Sequence, residues 1–273
     1  MRSSSQVPWP QQWRNTGRLK WTLGMVWLAS LATVAFVSAF VVSYGERSGA
    51  VKYFILFGLF LSVVIAVGCN SRINVRKNGS KAARVLPSKG LVIPYSRLAF
   101  VGSITLVVLM VSIFSLASYD FVRMSGGEAS APVVAAAVFG LIGVFVATYL
   151  VNVVTGRIAL GKVVLSPDGI EHRSWGYRSR VPWEGVMHVS PIGVESPEIW
   201  VRTHSNMIET EVYSGRWGGR PPRSDGLAIQ AKNLGVDPAL VYHLIDFYVA
   251  NAAARGELSD ESALYRLRTA SFA

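Results

Sequence analysis

The chain has little charge and almost no cysteine. Charged residues make up only 16% of its 273 residues, whereas an average globular domain has about 25%. Because Cys69 is the only cysteine, the chain cannot be a small scaffold held together by internal disulfides. Hydrophobic residues make up 51%, which excludes a disordered chain and argues against an ordinary soluble globule.

The excess of positive charge lies in the apolar half of the chain. The formal net charge is +11; residues 1–154 contain 14 basic and 3 acidic side chains, whereas residues 155–273 contain 13 of each. A protein that binds nucleic acid is expected to carry its basic surface on the folded polar domain. The polar half is neutral, so we expect no nucleic-acid partner.

Four stretches contain no charged residue and no histidine. They have between 18 and 24 residues, which as helices span about 27 to 36 Å, and the hydrocarbon core of a bilayer is about 30 Å thick. A helix on the surface of a soluble protein needs a polar face, and these stretches have none. We therefore predict a four-helix transmembrane domain in a lipid bilayer over residues 21–154, with spans at 21–44, 53–70, 98–119 and 132–154.

The connections between the spans predict the orientation in the membrane. The basic N-terminal arm, residues 1–20, and the basic loop, residues 71–97, together contain eleven basic side chains and no acidic one, whereas the other two connections are almost neutral. The positive-inside rule places both segments and the C-terminal half in the cytoplasm. We therefore expect a multi-pass protein of the plasma membrane with both termini cytoplasmic.

Two of these segments have competing interpretations. The charges of loop 71–97 hold it inside and lie near anionic headgroups; alternatively, they form a binding site for an acidic partner or lipid. The first span contains Val37-Ser38-Ala39, which resembles the cleavage site of a signal peptide. However, the apolar stretch before that site begins at Trp21 and is longer than the hydrophobic region of a usual signal peptide.

The fourth span carries four small residues at spacings of four, three and four, which place them on one helix face: Ala136, Gly140, Gly143 and Ala147. Small residues let a neighbouring helix approach closely. We expect this face to pack within the bundle, with a homodimer as the alternative. The spans lack the ionisable groups that ion-coupled transporters need, so transport is disfavoured.

After residue 160 the pattern changes to short strands separated by turns and followed by a helix. Asp237 is a suitable N-cap and Pro238 a suitable first residue for a helix that ends near Gly256, and a second, short helix is predicted at 260–268. The expected fold class is α+β: an antiparallel barrel or curled sheets capped by the C-terminal helix, with Trp183 in the core. Trp200 is also expected in the core. Strands are predicted at 162–166, 170–174, 178–181, 186–189, 198–203, 207–213 and 227–230.

Two segments of this half resemble bacterial pleckstrin-homology-like (PH-like) domains: Val164-Leu165-Ser166-Pro167-Asp168-Gly169-Ile170 and Val181-Pro182-Trp183-Glu184-Gly185-Val186. Residues 244–248 and 254–258 resemble the C-terminal helix of membrane-anchored versions in actinobacteria. The resemblance implies a cytoplasmic PH-like domain at residues 160–256 that is used for docking without catalysis. It also implies a tail with a short helix at residues 257–273.

The first hairpin turn of this half departs from the lipid-binding relatives, which hold phosphoinositides with basic residues on a roomy loop. Here the turn is the tight Pro167-Asp168-Gly169, with a carboxylate in place of cations. We therefore expect no phosphoinositide site at this turn.

The sequence contains no pattern that predicts catalysis. The four histidines lack the close spacing of a zinc site and Cys69 lies in a span, so we expect no metal, no cofactor and no catalytic residue. The candidate binding residues lie on a Gly/Pro-rich loop, and we call them the contact patch: Arg216, Trp217, Arg220 and Arg223. The contact patch would touch headgroups or an acidic partner; the alternative is a solvated loop.

These features favour a non-catalytic function. We expect an integral membrane scaffold or accessory subunit whose cytoplasmic domain docks to a partner protein or to the membrane surface. The alternative is a small channel or transport-associated subunit. A third candidate is a membrane enzyme that acts on lipid or envelope precursors.

Overall fold

The computed structural model of the chain describes residues 7–14, 18–45, 48–71, 79–87, 89–124, 131–193, 197–219, 221 and 223–272. The chain divides into two compact units. The helical unit comprises Arg18–Gly68 and Val101–Gly156. The sheet domain comprises Met1–Gly17, Cys69–Phe100 and Arg157–Ala273, so it is assembled from three separate segments of the sequence.

Four long helices, α1 to α4, contain the predicted spans: Arg18–Ser43, Val51–Cys69, Arg97–Met124 and Ala131–Val154. Each is long and apolar enough to cross a membrane. This confirms the prediction of four membrane-length helices and indicates a membrane-embedded protein. The helices continue beyond the uncharged stretches, so Lys20, Lys52 and Asp120 lie inside them near their ends.

The small residues of α4 contact α3 inside the helical unit. Ser118 Oγ donates a hydrogen bond of 2.8 Å to the carbonyl of Ala136. A Cβ added to Gly140 would lie 3.2 Å from Ser118 Oγ, and one added to Gly143 would lie 3.4 Å from the Cβ of Phe114. The small side chains therefore permit close packing of α3 against α4. A homodimer through the same face stays a prediction.

An ionic cluster connects the start of α2 with the end of α3. Lys52 Nζ lies 2.6 Å from Asp120 Oδ2 and donates to Oδ1 over 2.8 Å. Tyr53 Oη donates to Asp120 Oδ2 over 2.7 Å. The carboxylate is thus paired and hydrogen-bonded, which compensates for partial removal from water.

The described part of the sheet domain has two antiparallel sheets. The larger has the order β1-β2-β3-β4-β5-β8, with strands at Arg84–Leu86, Gly90–Pro94, Lys162–Ser166, Gly169–Arg173, Tyr177–Pro182 and Glu209–Val212. The smaller has the order β6-β7-β9, with strands at Val186–Ile192, Glu198–Thr203 and Gly226–Gln230. Every strand predicted after residue 160 is present, which confirms the α+β class, but the described strands form two open sheets and no closed barrel.

Strands β1 and β2 come from the segment that we interpreted as the basic loop 71–97. The hairpin joins the larger sheet through β2, which pairs antiparallel with β3 from Leu91 opposite Leu165 to Pro94 opposite Lys162. Leu91 and Ile93 are fully buried in the core. The second half of this segment is therefore part of the folded sheet domain, and its charges do not act on a free loop.

The N-terminal arm is also part of the sheet domain. Trp13 is only 1% exposed, and its indole N–H donates to the carbonyl of Ile192 over 2.8 Å. Its ring packs edge-on against Trp9 and Tyr242. Close contact of the arm depends on Gly193, because a Cβ there would lie 2.5 Å from the carbonyl oxygen of Gln12. Residues 1–20 were expected only as a basic arm.

Two helices close the core after β9: α5, Pro238–Ala250, and α6, Glu261–Thr269. Asp237 caps α5 by accepting from the amide of Ala239 over 3.0 Å, as predicted. The helix ends earlier than expected, where Arg255 donates to the carbonyls of its last turn. Leu258 and Leu267 are fully buried and belong to the core of the sheet domain.

The two tryptophans that were expected in the core differ in burial. Trp183 is 2% exposed and donates from its indole N–H to the carbonyl of Ser166 over 2.8 Å. Trp200 is only half-buried, because it alternates along β7 with the fully buried Ile199 and Val201 and therefore lies on the opposite face of the sheet. The expectation for Trp200 was wrong.

Candidate functional site

Loop 214–219, which carries Arg216 and Trp217 of the contact patch, is anchored on the turn between β4 and β5. The amides of Tyr213 and Ser214 both donate to the carbonyl of Gly176, over 2.8 and 3.0 Å. Gly218 lies so close to the same turn that a Cβ added to Gly176 would lie 2.1 Å from the Cα of Gly218. The absence of both side chains therefore fixes loop 214–219 against the turn.

The same turn lies beside the first helical turn of α3. The rings of Trp175 and Phe100 meet edge-on with their centroids 5.8 Å apart. The amide of Ala159 donates to the carbonyl of Trp175 over 3.0 Å. Ser96 caps α3, since its Oγ accepts from the amide of Ala99 over 3.3 Å. The β4–β5 turn is therefore located where the chain enters a helix of membrane-spanning length.

The structure places the contact-patch residues at two positions. Arg216 is exposed and Trp217 half-buried on the loop that contacts Gly176. Arg223 is exposed and forms an isolated β-bridge with Gly226, where β9 starts. Arg220 lies outside the described residues. A single binding surface formed by all four residues stays a prediction.

The outer face of the larger sheet carries an open groove of about 1040 Å³. Its edges include the hairpin turn at Asp168 and the segment at Asn206 and Met207. Both signs of charge line the groove, with cations in the majority: Lys89, Lys162, Arg173, Arg178 and Arg180 against Asp168, Glu171 and Glu209. The groove therefore combines a basic surface with fixed acidic groups.

Glu171 organises part of this groove. Its Oε2 lies 2.7 Å from Arg178 Nη2 and 3.3 Å from Arg180 Nη2. Burial by itself would raise the pKa of Glu171, but the hydrogen bonds and charges of the two guanidinium groups outweigh burial and hold the pKa below its ordinary value. The carboxylate therefore stays ionised and holds both arginines on the outer face.

Three cations lie side by side on β3, β4 and β5, and we call them the cation row: Lys162, Arg173 and Arg178. The strand register pairs Lys162 with Arg173 and Arg173 with Arg178. Arg173 also covers the ring of Tyr213, with its guanidinium carbon 4.1 Å from the ring centroid. The row cannot be recognised from the sequence alone, although the tight turn after Ser166 sets the register of Lys162 opposite Arg173.

A buried polar pair lies on the inner face of the same strands. Tyr95 is 2% and His172 1% exposed, and Tyr95 Oη lies 2.5 Å from His172 Nε2. Burial lowers the pKa of His172 to about 3 and raises the pKa of Tyr95, so the hydroxyl donates and the imidazole is neutral. His172 Nδ1 is buried and has no hydrogen-bond partner among the described residues.

Among the described residues, no three histidine, cysteine or acidic side chains lie close enough together to hold a metal ion. No protein-family model, no curated protein and no solved structure matches the chain.

Proposed function

We propose that the chain is an integral membrane scaffold or accessory subunit that presents a PH-like sheet domain at one membrane face for docking to a partner protein. The observation that carries this proposal is the assembly of the sheet domain from three segments. A pair of membrane-length helices separates the first segment from the second, and another pair separates the second from the third.

This arrangement constrains how the helices cross a membrane. Trp13, the β1–β2 hairpin and the strands from β3 onward share one hydrophobic core, which supports a topology with all three segments on the same side of the membrane. In this topology each intervening pair of helices leaves that side and returns to it. The basic character of residues 1–20 and 71–97 favours the cytoplasmic side.

Two features support docking as the activity of the sheet domain. Antiparallel sheets followed by α5 are compatible with the PH-like resemblance of the sequence, which implies a docking module. The contact patch supplies the aromatic ring of Trp217 and the cation of Arg216 on loop 214–219, which is held by glycine contacts. Tryptophan and arginine are the residue types that contribute most to protein interfaces.

The test is quantitative co-purification of the full chain from native membranes after mild cross-linking. The patch variant carries alanine at Arg216, Trp217, Arg220 and Arg223. The matched control carries Tyr265→Ala and Arg268→Ala, which remove an exposed aromatic side chain and an exposed cation from α6. We expect a stoichiometric partner that is retained by the wild type and the control and lost by the patch variant.

Other outcomes of the same experiment contradict the proposal. An identical set of co-purifying proteins for wild type and patch variant would remove the contact patch as the docking surface. Extraction of the chain by alkaline carbonate would contradict the proposal that it is an integral membrane scaffold. Ion conductance of the purified chain in liposomes would instead support the alternative of a small channel.

A further inference from the structure

We propose that the cation row binds the phosphate group of an anionic phospholipid headgroup. This inference rests on the proposed membrane location, but it concerns a surface that is distinct from the contact patch. It is carried by three observations: the like charges in the row, the absence of acidic partners for two of them, and the position of the row in the fold.

The strand register forces like charges together. Lys162, Arg173 and Arg178 occupy directly opposed positions on three neighbouring strands, and opposed like charges destabilise a sheet. Sheets normally avoid this by alternating the signs, as the neighbouring row does with Glu171, Arg180 and Glu209. The repulsion within this row would therefore be relieved by a counter-charge.

The protein supplies that counter-charge to only one member of the row. Arg178 pairs with Glu171 over 2.7 Å. Within the described part of the chain, Lys162 and Arg173 form no ion pair; the guanidinium of Arg173 is held over the ring of Tyr213. Two neighbouring cations thus border the groove without an ion-pair partner among the described residues.

The position of the row favours a membrane lipid as the source of the anion. Lys162 is the first residue of β3 and Arg173 the last of β4, and two residues after Arg173 the ring of Trp175 contacts Phe100 in the first turn of α3. The row therefore lies at the end of the sheet near Phe100, and Lys162 follows Val154, the last residue of α4, by only eight positions. Tryptophan is enriched at the headgroup level of a membrane, which favours a lipid phosphate as the anion.

The surroundings of the row favour a compact anion over an acidic peptide. Glu209 and Glu171 line the same groove, and Glu211 is paired in register with Arg178. These carboxylates would repel an extended chain of acidic residues crossing the strands. A single phosphate suits a neighbouring lysine and arginine, because a guanidinium offers two parallel N–H donors to phosphate oxygens.

The experiment measures lipid binding to the full-length chain in neutral detergent micelles by native mass spectrometry. Phosphatidylglycerol is the anionic probe and phosphatidylcholine the zwitterionic one. The row variant is Lys162→Gln with Arg173→Gln, and the charge-matched control is Arg202→Gln with Lys232→Gln, two exposed cations elsewhere in the sheet domain. A cooperative melting transition for each variant establishes that it is folded.

We expect the wild type and the control to bind phosphatidylglycerol in preference to phosphatidylcholine. Loss of two cations that face an anionic surface should weaken binding of phosphatidylglycerol by about 30-fold. Equal affinity of wild type and row variant would overturn the proposal. So would binding of inorganic phosphate without any preference between the lipids, which would identify a free anion as the ligand.

Competition by an acidic peptide distinguishes a lipid ligand from an acidic protein ligand. Displacement of the lipid signal by polyglutamate, together with failure of phosphatidylglycerol to bind the wild type selectively, would overturn the lipid and point to a protein. Failure of the proposed docking function can be distinguished from failure of the lipid proposal. In the first case the patch variant keeps the wild-type set of partners, whereas the row variant still loses phosphatidylglycerol.

Discussion

The buried His172 makes the sheet domain sensitive to mild acid. Its pKa is lowered from 6.5 to about 3 in the folded protein because the ring is removed from water. The unfolded chain therefore binds one more proton than the folded protein between these two values. Stability is fully present above about pH 6.5 and falls as the pH decreases towards about 3.

The magnitude follows from the two pKa values. Between pH 7.5 and pH 5.0 the extra proton of the unfolded chain costs about 2 kcal/mol of folding free energy, which for a domain of this size corresponds to a decrease in Tm of about 4 to 8 °C. The carboxyl of Glu171 does not contribute in this range, since its pKa is lowered from 4.5 and its stabilisation is lost only at lower pH.

The assay is thermal unfolding of the full chain in detergent, followed by tryptophan fluorescence at both pH values. Six of the eight tryptophans lie in the sheet domain, so the signal reports mainly on it. His172→Gln keeps an acceptor for the Tyr95 hydroxyl and should be less stable at pH 7.5 but lose little more at pH 5.0. The control His204→Gln, at an exposed position, should keep the wild-type loss. An equal acid-induced loss in wild type and His172→Gln would refute the reasoning.

Three further predictions concern the assembly of the sheet domain. Trp13→Ala removes a fully buried ring and its hydrogen bond to Ile192. Because Trp→Ala changes in a core cost about 3 to 5 kcal/mol of folding free energy, proteases should trim the N-terminal arm much faster than in the wild type. Gly176→Ala forces a Cβ against Gly218 and should lower the free energy of unfolding by about 1 to 3 kcal/mol, measured by chemical unfolding. The control Gly215→Ala, where nothing lies within 4 Å of an added Cβ, should be nearly neutral. Equal losses for the two variants would contradict the close approach of Gly176 and Gly218. In a Cys69→Ser background, Lys89→Cys and Gly127→Cys should be labelled by impermeant thiol reagents from opposite membrane sides, and labelling from one side would reject the topology.

The membrane-length helices and most strands could be predicted because each leaves a local signal. A span needs about 20 consecutive apolar residues. The hairpin of β3 and β4 is indicated by the tight turn Pro167-Asp168-Gly169 between two short strand-like runs. The caps of α5 and α6 are equally local, since Asp237 and Asp260 each accept from an amide two residues later.

The three-segment assembly could not be predicted in the same way, because its contacts are distant in sequence. Trp13 meets Ile192 across 179 residues, and on its own it reads as an interfacial aromatic before a span. The run from Leu91 to Ile93 is typical of a short buried strand, but the neighbouring basic residues led us to interpret the whole segment as a topogenic loop.

The candidate binding residues also differ in whether the sequence alone could predict them. Composition alone identified the loop with Arg216 and Trp217. The cation row was missed because it exists only across strands: Lys162, Arg173 and Arg178 are unremarkable in sequence, and only the register of two hairpins aligns them.

The discontinuous core also determines when this protein can fold during synthesis. The β1–β2 hairpin leaves the ribosome long before its partner β3, because the α3–α4 pair lies between them. Until translation passes residue 166 the backbone edge of β2 that pairs with β3 stays open, and the core around Leu91 and Ile93 lacks Leu267 until α6 emerges. A nascent chain that fails to insert either helix pair would therefore expose these side chains to chaperones and proteases, so that closure of the β-structure reports complete membrane insertion.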